Sequence, residues 1–318
     1  MSTFLITQAT GGQSGWAITH LLAAGAKVHA VVRDLNKELP AVLKSPGVTL
    51  FQGESHKFDD IYQAAQGCQG VFLNTVPYPP GLEVEQAKTI LAAAQKAGVE
   101  TVVSSSTIGV EDEALRNSDA VKACHLDGYY ASKHEVEEMV RGAAAAGLKS
   151  YTIVRPAVIH YDLCTFRHKE NFPRLGSHGE IDDLLTPGSK VPFTDASDVG
   201  KYVAAALLAG PTAGGKFANQ EIDLCHELLD FDEVAGIINR VSGKHGVKAV
   251  KRTFEELQGM GAFVFGQAFH LLANLQDFGA KGKAAADVQA RFGIPFTSVE
   301  GGLTRDREAL METLENVN

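Results

Sequence analysis

Phe4-Leu5-Ile6-Thr7-Gln8-Ala9-Thr10-Gly11-Gly12-Gln13-Ser14-Gly15 opens the chain, and its reading decides the fold. Residues 4–7 form a short apolar strand run, the next eight are small or polar, and a helical pattern follows over 16–24. A turn that holds a pyrophosphate must bend tightly, let the backbone approach the phosphates and present N–H groups from the positive end of a helix. Gly11, Gly12 and Gly15 supply the small residues, Ser14 offers a hydroxyl donor, and Thr10 and Gln13 complete the turn. A glycine-rich loop alone says little, since many turns simply need glycine. Its weight comes from standing after a first strand and before a helix.

Working outward, β-branched runs alternate with alanine-rich segments. Strands are expected over 27–32, 48–51, 70–74, 101–104 and 151–154, with helices over 59–65, 84–97 and 131–146. That alternation implies right-handed βαβ crossovers and a doubly wound parallel sheet, an α/β fold of Rossmann type. Beyond Pro156 the pattern loosens into stretches rich in Gly, Pro, His and Phe, broken by a helix over 197–208, a helix over 231–241 and a strand over 247–251. The expected division is a dinucleotide-binding domain at 1–156, with a helix within 196–210 packing back on it. Residues 157–195 and 211–318 are expected to form a smaller, irregular substrate or lid subdomain.

The 318 residues are 45% hydrophobic and 21% charged, ordinary for a globular chain large enough to bury a core without staples. The formal net charge is −9 and no basic run stands out, so direct nucleic-acid binding is not expected. Cys68, Cys124, Cys164 and Cys225 form no Cys-x-x-Cys pair, which points to a reducing compartment such as the cytoplasm. The first residues carry no cationic leader, so no secretory signal peptide is expected. The apolar stretch 261–275 is interrupted by Gln267, His270 and Asn274 and reads as a buried helix or pocket wall, not a membrane span. Nearby Phe263, Phe265, Phe269 and Phe278 read as core. No HExxH, paired cysteines or carboxylate cluster with metal spacing occurs, so no metal is expected. A Gly-x-Ser-x-Gly elbow is missing, which removes an α/β-hydrolase reading.

The second strand run ends Val31-Val32-Arg33-Asp34. An acidic residue at this point binds the adenine ribose of NAD, whereas an arginine accommodates the 2′-phosphate of NADP. Arg33 comes first, with Lys37 as a second cation, so NADP(H) is the expected cofactor. Asp34, one residue on, keeps NAD(H) as the lesser option. Tyr129-Tyr130-Ala131-Ser132-Lys133 contains a Tyr-x-x-x-Lys spacing that sets Tyr129 and Lys133 one helical turn apart on one face. A cationic lysine there favours the phenolate, and such a tyrosine can give a proton to a carbonyl oxygen. Tyr130 as the inward ring, with Tyr129 as ordinary packing, is the competing reading.

Taken together these residues resemble the NmrA-like group of atypical short-chain dehydrogenases/reductases. The likeness rests on Ala9-Thr10-Gly11-Gly12-Gln13, Val31-Val32-Arg33, Gly53 with Asp59 and Asp60, Ala64-Ala65-Gln66-Gly67, Ser132-Lys133-His134-Glu135-Val136-Glu137, Val154-Arg155-Pro156 and Asp195-Ala196-Ser197-Asp198-Val199-Gly200. It covers roughly residues 3–255. Two positions depart from it: Gln8 replaces the first loop glycine, and Ser14 the third, with Gly15 just after. The resemblance implies a nicotinamide-ribose contact for Lys133. It also implies a substrate-oxygen contact for a serine past the fifth strand, Ser106 with Ser105 in reserve. Asn74, Thr75 and the loop that carries Tyr78 fall where the nicotinamide side would lie, and Ser105, Tyr78, His160 and Tyr161 are candidates for a substrate pocket. The activity so implied is NADPH-dependent reduction of a small or medium carbonyl compound or enone. The alternatives are a non-catalytic NADP(H)-sensing regulator with a protein partner and a non-redox isomerase or cyclase; a homo-oligomer is also open.

Overall fold

The computed structural model describes residues 2–165, 167–211 and 215–317. The chain divides into two compact units: Met1–Asp112, Gly128–Arg155 and Ser197–Leu224 form the first, and Glu113–Asp127, Pro156–Ala196 and Cys225–Asn318 the second. Two stretches depart from the expected division. Residues 113–127 leave the first half of the chain to join the second unit, and the strand Gln220–Leu224 returns to the first.

The first unit is built on a seven-stranded sheet. Its strands are β1 (Thr3–Ile6), β2 (Lys27–Val32), β3 (Val48–Gln52), β4 (Gly70–Leu73), β5 (Thr101–Ser105), β6 (Ser150–Pro156) and the strand Gln220–Leu224. Their spatial order is Gln220–Leu224, β6, β5, β4, β1, β2, β3, so the order reverses at β1, the switch point where such sheets bind ligands. The β1–β2, β2–β3, β1–β4, β4–β5 and β5–β6 pairings are all parallel, with Leu5 opposite His29 on one side and Val71 on the other. Strands covered on both faces read as near-continuous apolar runs. Accordingly β4 and β5 are buried along their whole length.

Helices α1 (Gly12–Ala23), α2 (Phe58–Ala65) and α3 (Leu82–Lys96) alternate with the first strands, and a long helix, Asp127–Ala145, precedes β6. Leu5, Ile61, Val71, Ile90, Val102, Val140 and Ile153 belong to one buried cluster. Each such side chain contributes about 1.5–3 kcal/mol of burial. The helix Ala196–Ala209 crosses α1 so closely that a Cβ on Gly200 would lie 2.5 Å from the Trp16 carbonyl carbon. On the outer strand Glu221 and Asp223 alternate with buried Ile222 and Leu224. Glu221 and the fully buried Glu137 are gripped by Arg155 and Arg141, with Arg155 Nη2 to Glu137 Oε2 at 2.7 Å.

The second unit has a three-stranded sheet in which Val191–Thr194 pairs antiparallel with Glu227–Leu229 and parallel with Val158–Ile159. A two-stranded parallel ribbon joins Glu180–Asp183 to Lys248–Lys251. The helix Phe231–Ser242 starts at a reciprocal capping box between Asp230 and Glu233 and buries Phe231, Val234 and Ile238 in the unit's own core. The apolar stretch near 261–275 yields a helix at Gln267–Leu275, and three further helices end the chain: Gly279–Phe292, Val299–Arg305 and Arg307–Thr313. No helix among the described residues is long and apolar enough to cross a membrane.

Candidate functional site

The turn after β1 departs from glycine at Gln8, yet Gln8 takes the left-handed conformation that a glycine would supply, with φ of 49°. The Gly11 N–H then donates to the Gln8 carbonyl at 2.8 Å and closes the turn. A non-glycine residue there costs roughly 1–2 kcal/mol, so the bend is held by its surroundings. Helix α1 begins at Gly12, four residues before the sequence pattern shows it. Gly11 is its N-cap, without a side-chain capping bond and with no acidic residue in the first turn. Unoccupied N–H groups at a positive helix end suit an anion. A Cβ on Gly15 would meet nothing within 4 Å, so space is open beside this turn. Thr10 is exposed, and Gly11, Gly12 and Gln13 are half-buried.

Ser14 has a different employment from the one its position suggests. It is fully buried, its hydroxyl donates to the Thr7 carbonyl at 2.9 Å, and the Asn74 amide donates to it at 3.1 Å. The Asn74 N–H donates to Thr7 Oγ1 at 2.9 Å. Ser14 and Asn74 therefore tie the ends of β1 and β4 to the start of α1, and fix the turn from behind. At the end of β2, Arg33 and Lys37 are exposed. Asp34 Oδ1 instead accepts from the Asn36 backbone N–H at 2.9 Å and from its side-chain amide at 3.2 Å, an Asx turn that occupies the acidic group.

The Tyr-x-x-x-Lys spacing becomes a contact. Tyr130 is 1% exposed and belongs to the core, with its hydroxyl 3.4 Å from the Ile108 carbonyl, whereas Tyr129 is half-buried. Lys133 Nζ lies 5.6 Å from the Tyr129 ring centroid. Tyr129 is thus the ring beside the lysine. At the end of β5 the Ser105 hydroxyl donates to Gln13 Oε1 at 2.6 Å, but just past it Ser106 Oγ is buried with no hydrogen-bond partner among the described residues. Leaving a buried hydroxyl unpaired costs about 1–3 kcal/mol, and the neighbouring Ser104 Oγ is buried and unpaired as well.

Lys133 also brings in a residue that sequence reasoning missed. Its Nζ donates to Glu83 Oε1 at 2.6 Å, in the first turn of α3, where Glu83 is 1% exposed. The same carboxylate accepts from Thr75 at 2.7 Å and from Ser132 at 2.7 Å. Burial alone would push Glu83 up, but Lys133, Thr75 and Ser132 outweigh it and hold the carboxyl below its ordinary value. Burial would likewise lower Lys133, and Tyr129, Glu83 and Glu137 together keep the ammonium above its ordinary value. Both groups are charged. Thr75 therefore serves Glu83, and Tyr78, 45% exposed, interacts electrostatically with Tyr129 and Glu83.

His160 and Tyr161 lie in the second unit. His160 is wholly buried. Its Nδ1 accepts from the Ala196 N–H at 3.1 Å, and its Nε2 lies 2.8 Å from Asp306 Oδ2. Protein groups occupy both ring nitrogens. Arg305 joins them, donating to Asp195 Oδ2 at 2.9 Å and Asp306 Oδ2 at 2.6 Å. His160, Cys164 and Asp306 do offer ligand atoms within 4.8 Å of one another, but Arg305 Nη2 already lies 3.3 Å from His160 Nε2 and 2.6 Å from Asp306 Oδ2. Tyr161 packs beside the His160 ring with centroids 4.9 Å apart and borders a hollow shared with Thr165, Arg305 and Glu312.

Known proteins share this plan. An NmrA-like family domain-containing oxidoreductase of Penicillium ochrochloron is 24% identical over 255 residues, 74% of this chain and 72% of its own. The chain spans about half the length of three other curated relatives it matches. Triphenylmethane reductase of Citrobacter sp., complexed with NADP(H), superposes with a TM-score of 0.67 at 22% identity, over 98% of this chain and 99% of that one. Nmra, a negative transcriptional regulator in complex with NAD, gives a TM-score of 0.71 at 21% identity, over 100% of this chain and 98% of that one. At such identities a superposition speaks for the fold. A model of the NmrA-like family accounts for residues 1–294, and the chain belongs to that family.

Proposed function

We propose that the protein is an NADPH-dependent reductase of a small or medium organic carbonyl compound or enone. The observation that carries the reading is the half-buried Tyr129 with the Lys133 ammonium 5.6 Å from its ring, on the same unit as a β1–α1 turn open to an anion. A regulator that only senses nucleotide has no need of a phenol set beside a buried lysine.

The residues fit the cofactor. The uncapped start of α1 and the space beside Gly15 suit a pyrophosphate, with Thr10 to Gly15 as its cradle. Arg33 and Lys37 are exposed where a 2′-phosphate would be met, while Asp34 is engaged by Asn36, which favours NADP(H) over NAD(H). Bound NADPH would supply the hydride. Tyr129 gives the proton to the substrate oxygen, Lys133 tunes and orients that phenol and meets the nicotinamide ribose, and Ser106 donates its unpaired hydroxyl to the same substrate oxygen. Ser105, already bonded to Gln13, holds the turn instead. The names of the Penicillium oxidoreductase and the Citrobacter reductase accord with this reading.

The test is a fluorescence titration with NADPH and NADH, followed by a panel of ketones, enones and quinones. Arg33→Ala should weaken NADPH about 10- to 100-fold by loss of a charge-assisted contact and leave NADH nearly unchanged. Tyr129→Phe should abolish NADPH oxidation while nucleotide binding persists. Tight NADPH binding with no turnover across the panel would replace the reductase by a sensor. Substrate conversion without nucleotide oxidation would replace it by an isomerase or cyclase.

A further inference from the structure

Within the first unit a buried carboxylate stands against the lysine of the candidate catalytic pair, and nothing in the Tyr-x-x-x-Lys spacing calls for it. Glu83 is 1% exposed and Lys133 7%. Their 2.6 Å contact is one of three that the carboxylate makes, the others being to Thr75 just past β4 and to Ser132 on the long helix. One side chain on α3 thus binds the segment after β4 and the helix that carries Tyr129 and Lys133. We propose that Glu83 is the positioning residue of the site, clamping Lys133 and balancing its charge so that Tyr129 stays a protonated donor poised for reduction. This rests on the reading of Tyr129 and Lys133 given above.

The electrostatics follow from distance. A lone ammonium about 5–6 Å from a phenol, at the effective dielectric of a protein site, favours the phenolate by about two pH units. A carboxylate touching that ammonium opposes it and takes back about half of the effect at the phenol. Lys133 on its own helix and Tyr78 on the segment after β4 act on Tyr129, and Glu83 on α3 acts through the ammonium it touches. Glu137 acts on Lys133 one turn further along the helix, but is itself clasped by Arg155 and Arg141. Glu83 is therefore the negative group in direct contact with the ammonium. A reductase needs its phenol protonated at the start of each cycle, and a paired lysine keeps it so to higher pH than an unpaired one. The pairing also fixes where Nζ sits, which a flexible four-carbon stem would otherwise leave loose.

The experiment follows phenolate absorbance in the cofactor-free protein as pH rises, with the Tyr129 transition isolated by subtracting Tyr129→Phe in each background. Glu83→Gln should lower the Tyr129 midpoint by about one pH unit, and the alkaline limb of the NADPH-dependent rate should move down with it. Glu83→Asp, which keeps the charge, should restore most of the shift. Lys133→Met, which strands Glu83, should raise the midpoint and provides a second measure if Glu83→Gln folds poorly. Equal midpoints in the wild type and either charge-changing variant would overturn the charge-balancing role. If the shifts appear but Tyr129→Phe leaves turnover intact, the catalytic reading of Tyr129 fails and the balance stands. If Tyr129→Phe is inactive and the midpoints do not move, the reverse holds.

Discussion

Gly200→Ala and Gly142→Ala are the same substitution in two helices, and they should act with opposite sign. At Gly200 an added Cβ would lie 2.5 Å from the Trp16 carbonyl carbon, 2.6 Å from Trp16 Cβ and 2.7 Å from the Ala17 nitrogen. Two of those atoms are backbone of α1 and cannot rotate aside. Carbon atoms rest about 3.5–4.0 Å apart, so the two helices must separate by about 1 Å. Overpacking of this kind costs about 1–3 kcal/mol, against about 1 kcal/mol returned by alanine's better helix propensity. Contacts this short against rigid backbone belong at the upper end of that cost, so the net loss is about 1–2 kcal/mol, a fall in Tm of about 1–3 °C for a chain of 318 residues. At the exposed Gly142 the Cβ meets nothing within 4 Å, and alanine should gain about 1 kcal/mol. Thermal unfolding at one fixed scan rate compares the pair, and an NADPH titration reads the displacement of the α1 amino end. An unchanged or raised Tm for Gly200→Ala would refute the close crossing of these helices.

His270 is buried between Phe172 and Phe231, and burial drives its imidazole down to about 3, against about 6.5 in an unfolded chain. A lowered folded value makes its contribution to stability complete above about pH 6.5 and lost as pH falls toward 3, at up to about 1.4 kcal/mol per unit. Denaturant midpoints should therefore fall less steeply below neutrality in His270→Phe, and an identical acid slope would contradict this. Arg155→Met should cost about 3–5 kcal/mol by removing two of the hydrogen bonds of the fully buried Glu137, and Arg155→Met/Glu137→Leu should recover most of it. A double variant no better than the single one would show that the pair matters for more than charge. At Gln8, with φ of 49°, glycine should be within about 1 kcal/mol of wild type, whereas valine should lose about 1–2 kcal/mol; chemical denaturation separates them, and a tolerated valine would mean the turn is not left-handed.

The elements legible in the sequence are those whose own residues announce them. β1, β4, β5 and β6 are buried almost throughout and read as apolar runs, the half-buried edge strand β3 still carries Val48, Leu50 and Phe51, and the expected spans differ from the observed ones by a few residues at the ends. The start of α1 is hidden because Gly11 and Gly12 look like loop, although they begin a helix that no side chain caps. The outer strand Gln220–Leu224 is hidden by Glu221 and Asp223. Their charges suit a loop until Arg141 and Arg155 are placed opposite them, and nothing near residue 221 in the chain announces those partners. The second unit offers little periodicity because its sheets are built from strands two to four residues long, too short to carry a pattern.

The site divides along the same line. A helix fixes which residues share a face, so Tyr129 and Lys133 could be paired from spacing, and Lys133 also lies three residues from Tyr130. Only burial chooses between the two tyrosines. Ser106 and Ser105 are adjacent and alike in sequence, and they part only when Gln13 is seen to take one of them. Glu83 and His160 are the extreme cases. Each owes its role to groups brought near by the fold, Lys133 fifty residues on and Asp306 on the helix pair that ends the chain. Spacing can nominate a catalytic side chain, but the charge of its surroundings belongs to tertiary structure. A Tyr-x-x-x-Lys motif with a carboxylate on its lysine and one without it read the same in sequence, yet they should hold the phenol's proton over different ranges of pH.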